Sequence, residues 1–300
     1  MARLLIVDDD ISFTQKLMHE LKKNGFESTA LNTGQGVIEF LKKDPVPVVI
    51  LDVMLPKNSG FELCREIRID RDIYHKGIIL VSVMGDKEEI EHGYAQGCDD
   101  YISKPVHLGN FLTRLKSIFD LVENDKLVEP ITTLGSGRYI RLEILRGILL
   151  KESFDLAYIE LLGIFSMQRQ MGDEGIIKLL RMFSHHLRSL SATYLGKDYY
   201  LAHLGGGHFI AKFRSGSLKD IAVELKNSWE DIITKSENVY LSAGDKLSSN
   251  ESKRFGVMVC GFTHSSADSE NINTVLGRLR NLYSRCKSNS PDGILIDRRT

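Results

Sequence analysis

Three consecutive carboxylates, Asp8, Asp9 and Asp10, follow directly on the apolar run Leu4-Leu5-Ile6-Val7, and Asp52 follows directly on Val48-Val49-Ile50-Leu51. Short apolar runs of this kind read as buried strands, so both acidic groups stand at strand ends. Where such strands lie parallel, neighbouring ends bring the carboxylates together, and their repulsion is costly unless a cation intervenes. Mg2+ suits the place, because it takes a few carboxylates together with a carbonyl and water. Ser82 closes the next run, Ile78-Ile79-Leu80-Val81, and Lys104 follows Tyr101-Ile102-Ser103 just before Pro105. A carboxylate, a divalent cation, a hydroxyl and an ammonium at one sheet edge form a site for a phosphoryl group, with Asp52 as the nucleophile. Helix capping accounts for any one of the aspartates but leaves the rest of the set unexplained.

The elements that must position these groups alternate over the first 120 or so residues. Weaker strand patterns at 27–31 and 100–103 join the three apolar runs. Between them, Leu17 and Leu21, and then Val37, Phe40 and Leu41, repeat at helical spacing. Continuous apolar strands alternating with helices imply a parallel sheet covered on both faces, with ligands beyond the carboxyl ends of the strands. Residues 108–128 carry Phe111, Leu112, Leu115, Ile118, Phe119 and Val122 at helical spacing, a last helix and connector that Glu129-Pro130 ends. Phe111, Leu112 and Leu115 are expected on the unit's own sheet. For Ile118, Phe119 and Val122, packing there or in a symmetric dimer fits equally well, and a dimer would let self-association respond to phosphorylation.

The second half reads as helix 138–150, strand 156–164, helix 175–190, a hairpin over 199–213, helix 218–233, strand 256–262, helix 272–286 and strand 293–296. This order suits a mixed, partly antiparallel sheet with packed helices, an α+β arrangement. Residues 235–253, rich in Ser, Asn, Lys and Glu, read as a loop, and Trp229 as core. His185, His186, His203 and His208 fit no short metal-ligand spacing.

Three hundred residues, 42% apolar and 26% charged, describe a globular chain long enough for two domains. Its net charge of −1, and the 24 basic and 21 acidic residues beyond position 121, give no reason to expect DNA binding. Cys64, Cys98, Cys260 and Cys286 lack a short pairing and read as buried reduced thiols. No long apolar span or signal-like start is present, so a cytoplasmic protein without membrane contact is expected.

Leu5-Ile6-Val7-Asp8-Asp9, Leu51-Asp52-Val53-Met54-Leu55-Pro56 with Gly60, Val81-Ser82, and Asp99-Asp100-Tyr101-Ile102-Ser103-Lys104-Pro105 together resemble the receiver domain of two-component response regulators over residues 1–121. The resemblance implies a flavodoxin-like doubly wound sheet and phosphoryl transfer to Asp52 from a histidine kinase or phosphotransfer protein. It implies Mg2+ on Asp8 or Asp9, Asp52 and the Met54 carbonyl, Lys104 and Ser82 on the phosphoryl oxygens, and Tyr101 as a switch that moves inward with the group. Val83 stands where that family usually has a smaller residue, which would narrow access to Asp52.

After a helical connector at 122–128, residues 129–300 resemble GGDEF-type diguanylate cyclase domains. The resemblance rests on Glu129-Pro130-Ile131-Thr132-Thr133-Leu134 with Arg138, on the stretch from Tyr158 through Met171-Gly172 to Leu180, and on Leu204-Gly205-Gly206-Gly207-His208-Phe209 at the naming motif. Glu160 keeps a carboxylate at the strand position, while Gly207 and His208 replace the two acidic residues of the motif. Gln168 and Ile177 replace the guanine-reading pair, Phe165 replaces a phosphate-region lysine, and Gly196 and Tyr199 replace the inhibitory-site pair, with Asp198 one place off. An isoleucine cannot hydrogen-bond a base. The resemblance therefore implies a catalytically inactive domain acting through a partner protein, a nucleotide or dimerisation. The alternative is a divergent nucleotidyl cyclase controlled by the receiver.

Overall fold

The computed structural model describes residues 2–124, 126–240, 256–289 and 293–297. The chain divides into two compact units, Met1–Lys126 and Leu127–Thr300.

In the first unit, β1 (Ala2–Val7), α1 (Ile11–Lys23), β2 (Phe26–Leu31), α2 (Val37–Lys43), β3 (Val48–Asp52), α3 (Gly60–Ile69), β4 (Gly77–Ser82), α4 (Lys87–Gln96), β5 (Asp100–Ser103) and α5 (Leu108–Asn124) follow one another. All five strands pair parallel, in the order β2-β1-β3-β4-β5, the flavodoxin-like doubly wound arrangement. Side chains alternate across the sheet, which explains the continuous apolar runs. Leu4 and Ile6 join the core that holds Leu17 and Leu21 of α1 with Phe111 and Leu115 of α5. Leu5 and Val7 join the opposite core with Val37, Leu41, Leu63 and Ile67 of α2 and α3. Asp10 caps α1, its carboxylate accepting from the Phe13 amide, so the capping role falls to this aspartate alone of the three.

Helix α5 ends at Asn124, short of the expected 128. Beyond it the chain forms a turn in which Val128 bridges Gly135 and the Glu129 carboxylate accepts from the Ile131 and Thr132 amides at 3.0 and 2.8 Å. Backbone held in that turn cannot continue a helix, so 126–128 are not a helical connector. The apolar stripe is also settled: Ile118 and Phe119 are buried in the unit's own core, with Val122 packed against it. Gly77 of β4 leaves them room, since a Cβ there would stand 2.6 Å from Ile118 Cγ2. Of the two packings expected for this stripe, the structure shows the one on the unit's own sheet.

The second unit comprises α6 (Gly137–Leu149), β6 (Phe154–Leu161), α7 (Ile164–Leu195), β7 (Tyr199–Gly205), β8 (His208–Arg214), α8 (Leu218–Tyr240), β9 (Val257–His264), α9 (Ile272–Asn289) and β10 (Ile294–Asp297). Its sheet is mixed, in the order β10-β9-β6-β8-β7, with β6 antiparallel to both neighbours and β10 parallel to β9. One face packs on α7 and α8, where Trp229 meets Phe183 edge to face at 4.8 Å.

Several elements differ in extent from the sequence reading. Strand β6 starts at Phe154 because Asp155, though acidic, is buried. Its carboxylate accepts from the Ser217 and Leu218 amides at the start of α8 and from the Thr263 hydroxyl of β9. The strand stops at Leu161, since Gly163 takes a positive φ and opens α7. Helix α7 starts at Ile164, eleven residues before the expected 175, and Gly172, at φ 67°, interrupts it. Helix α8 takes up 235–240 of the expected loop, and 241–253 lie outside the described residues. All four cysteines are buried and none forms a disulfide. Among the described residues no helix is long and apolar enough to cross a membrane.

Candidate functional site

The strand order reverses beside β1, so the carboxyl ends of β1 and β3 border the crevice where ligands enter such sheets. Asp8, Asp9 and Asp52 meet there, with one oxygen of each within 4.8 Å of the others. Asp8 and Asp52 are buried and Asp9 is exposed. The Lys104 ammonium, delivered from the end of β5, donates to Asp8 Oδ2 at 2.8 Å and to Asp52 Oδ1 at 2.9 Å. Its position lies 4.5 Å from the centre of the Phe13 ring, a neighbour that sequence reasoning missed because it belongs to the first turn of α1.

Backbone groups complete the cradle. The Asp10 amide donates to Asp8 Oδ1 and the Met54 amide to Asp52 Oδ2, at 2.9 and 3.0 Å. Gly60 lets α3 start against β3, since a Cβ would stand 2.2 Å from the Asp52 carbonyl. Burial holds the Asp8 carboxyl above its ordinary pKa, with the Asp52 charge adding to the push and Lys104 opposing it. Burial also works against the Lys104 charge, but its bonds to Asp52 and Asp8 prevail and raise its pKa. Three carboxylates thus face one ammonium, a surplus of negative charge that fits a divalent cation on oxygen ligands.

Ser82 is fully buried at the end of β4 and accepts from the Met84 amide at 3.1 Å. Val83 is 67% exposed, so it faces solvent. Tyr101 differs from the expected inward movement in that it already lies inward, 4% exposed, with its hydroxyl donating to the Met84 carbonyl at 3.0 Å. Gly93 of α4 leaves the space, because a Cβ there would stand 2.8 Å from Tyr101 Cδ2.

In the second unit Gly205 and Gly206 turn the β7–β8 hairpin with φ of 99° and 55°. His208 pairs across from Glu160, and Phe209 is buried between Phe183 and His203. Gly207 is packed under the end of β6: a Cβ would stand 2.8 Å from the Leu161 carbonyl oxygen. Glu160 Oε1 lies 3.4 Å from Lys287 Nζ of α9, a residue 127 positions away that no sequence signal pointed to. Glu160 Oε2 and His208 Nδ1 are buried without a hydrogen-bond partner. Gln168 donates to Asp173, and Phe165 is 78% exposed.

The four histidines that the sequence singled out form no common cluster among the described residues. His186 Nε2 lies 2.8 Å from the Ser228 hydroxyl. His203 is buried, with Nε2 2.8 Å from the Gly206 carbonyl and Nδ1 2.9 Å from Glu129 Oε2. Burial raises the Glu129 pKa, but bonds from the Thr132 hydroxyl, His203 and the Thr132 and Ile131 amides outweigh it and bring the value down to about 2.

Residues 4–116 match the model of the response regulator receiver domain family. The chain is 30% identical over 118 residues to the heme response regulator HssR of Staphylococcus epidermidis, covering 39% of this chain and 51% of that protein. Over 129 residues it is 30% identical to the response regulator MprA of Mycobacterium leprae, covering 43% and 56%. The chain therefore spans about half the length of the curated relatives it matches. Among solved structures, the chemotaxis response regulator CheY4 of Vibrio cholerae is 28% identical, with 39% of this chain and 98% of that one covered at a TM-score of 0.38. The N-terminal unit, with its parallel sheet and its acidic strand ends, is a response regulator receiver domain.

Proposed function

We propose that the chain is a phosphorelay response regulator in which Asp52 accepts a phosphoryl group and the second unit, a catalytically inactive GGDEF-like domain, carries the signal by binding a protein or nucleotide. The observation that supports the first half is the Lys104 ammonium bridging Asp8 and Asp52 at adjacent strand ends. A carboxylate oxygen of Asp52 attacks the phosphorus of a phosphohistidine, the P–N bond breaks, and the freed imidazole takes up a proton. Asp8 or Asp9, Asp52 and the Met54 carbonyl would hold Mg2+, which would supply charge neutralisation for the phosphoryl oxygens. Lys104 then exchanges its Asp52 contact for a phosphoryl oxygen, and Ser82 donates to another.

For the second half, the support is that Gly207 leaves no space for an acidic side chain and that Lys287 stands on the remaining carboxylate. Two-metal nucleotidyl chemistry needs carboxylates at both places. The test uses the whole protein with acetyl phosphate and Mg2+. Mass spectrometry is expected to place the label on Asp52 and to find none in Asp52→Asn. With GTP, no cyclic dinucleotide is expected, phosphorylated or not. Undiminished labelling of the variant overturns the first half, and GTP turnover that Glu160→Gln abolishes overturns the second in favour of a divergent cyclase.

A further inference from the structure

At the far end of β9 from Val257, His264, Asp268 and Glu270 bring one ligand atom each within 4.8 Å of the others. His264 is 1% exposed, yet its Nδ1 has no hydrogen-bond partner, and neither has Glu270 Oε2. The nitrogen points between two carboxylates, 3.7 Å from Asp268 Oδ2 and 3.6 Å from Glu270 Oε2. Both distances are too long for a hydrogen bond. If Nδ1 carries a proton, that proton reaches no acceptor at bonding distance; if it does not, a lone pair faces two anions. In neither state does this buried nitrogen make a hydrogen bond to the carboxylates that flank it.

A metal ion resolves the conflict. Two ligand atoms each about 2.0–2.2 Å from one tetrahedral ion stand roughly 3.3–3.6 Å apart, close to the separations seen here. We propose that His264, Asp268 and Glu270 form a binding site for a first-row divalent metal ion, Zn2+ being the type ion, which clips the β9–α9 loop to the end of the sheet. Imidazole nitrogen excludes Mg2+ and Ca2+ as preferred occupants, because they are oxygen-seeking.

The surroundings fix the ligands as metal sites require. The His264 ring lies 4.8 Å from the Phe154 ring across the strand pair. Asp268 Oδ2 accepts from the Ser265 amide at 3.0 Å. Arg278, whose guanidinium lies over Phe262, approaches Glu270 at 4.0 Å and Asp297 at 3.8 Å. The site needs no cyclase or receiver chemistry and stands apart from the function proposed above.

The test is calorimetric titration of ZnCl2 into the full chain carrying Asp52→Asn, which disables the receiver's own acidic site, in parallel with MgCl2. One Zn2+ equivalent is expected, absent for Mg2+. Asp268→Asn and Glu270→Gln, on the half-exposed side of the cluster, are each expected to lower affinity by at least about 100-fold, the upper end of the loss caused by removing only an outer-shell partner. His264→Gln should do the same, with circular dichroism confirming the fold of every variant. No zinc binding, or equal affinity in folded Asp268→Asn and Glu270→Gln proteins, overturns the proposal.

Discussion

At the ends of β1 and β3, Asp8 and Asp52 share a single ammonium, Lys104, with the Asp9 carboxylate beside them, whereas at the end of β6 Glu160 meets Lys287 one to one. The first arrangement keeps a negative surplus buried, and the raised pKa of Asp8 is its signature. The second spends its charge on the chain itself and fills the adjoining turn with Gly207. A strand end keeps buried charge unbalanced where a ligand is to balance it. Charge already matched within the chain leaves a strand end with no such demand.

The most damaging blow to this contrast removes the surplus. Asp8→Asn combined with Asp9→Asn leaves Asp52 and Lys104 as a neutral pair, and is expected to slow Mg2+-dependent phosphorylation by at least about 100-fold, the several kcal/mol that a metal contributes. Labelling kinetics with acetyl phosphate check it. Rates within a few-fold of the unmodified protein would mean that the acidic surplus serves another purpose.

The opposite change adds charge where none fits. Gly207→Glu is expected to destabilise the second unit by about 1–3 kcal/mol, the ordinary cost of forcing atoms into filled space, and to yield no GTP turnover. Urea denaturation measures the first and product chromatography the second. A variant of unchanged stability would show that the turn beside β6 yields easily and that the glycine is no obstacle.

How much of this contrast the sequence displays depends on where the charge partners lie. Asp8, Asp52, Ser82 and Lys104 are legible because each follows an apolar run, and a parallel sheet gathers run ends at one edge. Phe13 is invisible to that logic, and so is Lys287, because contact across 127 positions depends on how α9 packs. Asp155 misleads in the other direction. It looks like a loop residue, yet it is 1% exposed and tethers α8 and β9 through three bonds, so the strand begins before it. His264 lies beyond the strand expected over 256–262, although β9 continues through it. Polar residues inside strands are where a pattern of apolar runs fails, since burial there is decided by partners distant in sequence.

Glu129 is a further internally balanced carboxylate, held by Thr132, His203 and two amides. Its pKa of about 2 lies below the ordinary value of 4.5, so its contribution is complete above about 4.5 and fades as pH falls toward 2. Glu129→Gln is expected to cost roughly 1–2 kcal/mol at neutral pH, allowing for partial solvent screening. The deficit should shrink steadily between pH 4.5 and pH 3 in denaturation curves. A deficit constant with pH would assign Glu129 a packing role in place of an electrostatic one.

The smallest effect belongs to Lys287. Its ammonium is more than half exposed and lies 3.4 Å from Glu160, so the pair contributes less than about 1 kcal/mol at physiological salt. Lys287→Gln should therefore leave the melting temperature nearly unchanged. Removing the lysine returns a net negative charge to the strand end, which superficially reproduces the receiver's arrangement. Glu160 alone, however, offers one carboxylate where Mg2+ requires several oxygens, and Gly207 supplies none. The variant should show no more stabilisation by Mg2+ than the unmodified protein when both carry Asp52→Asn to silence the receiver's site. A Mg2+-dependent rise in melting temperature that appears only in Lys287→Gln would show that the lysine had been standing in for a cation that the cleft still binds, and the two strand ends would then differ by one side chain instead of by design of the whole edge.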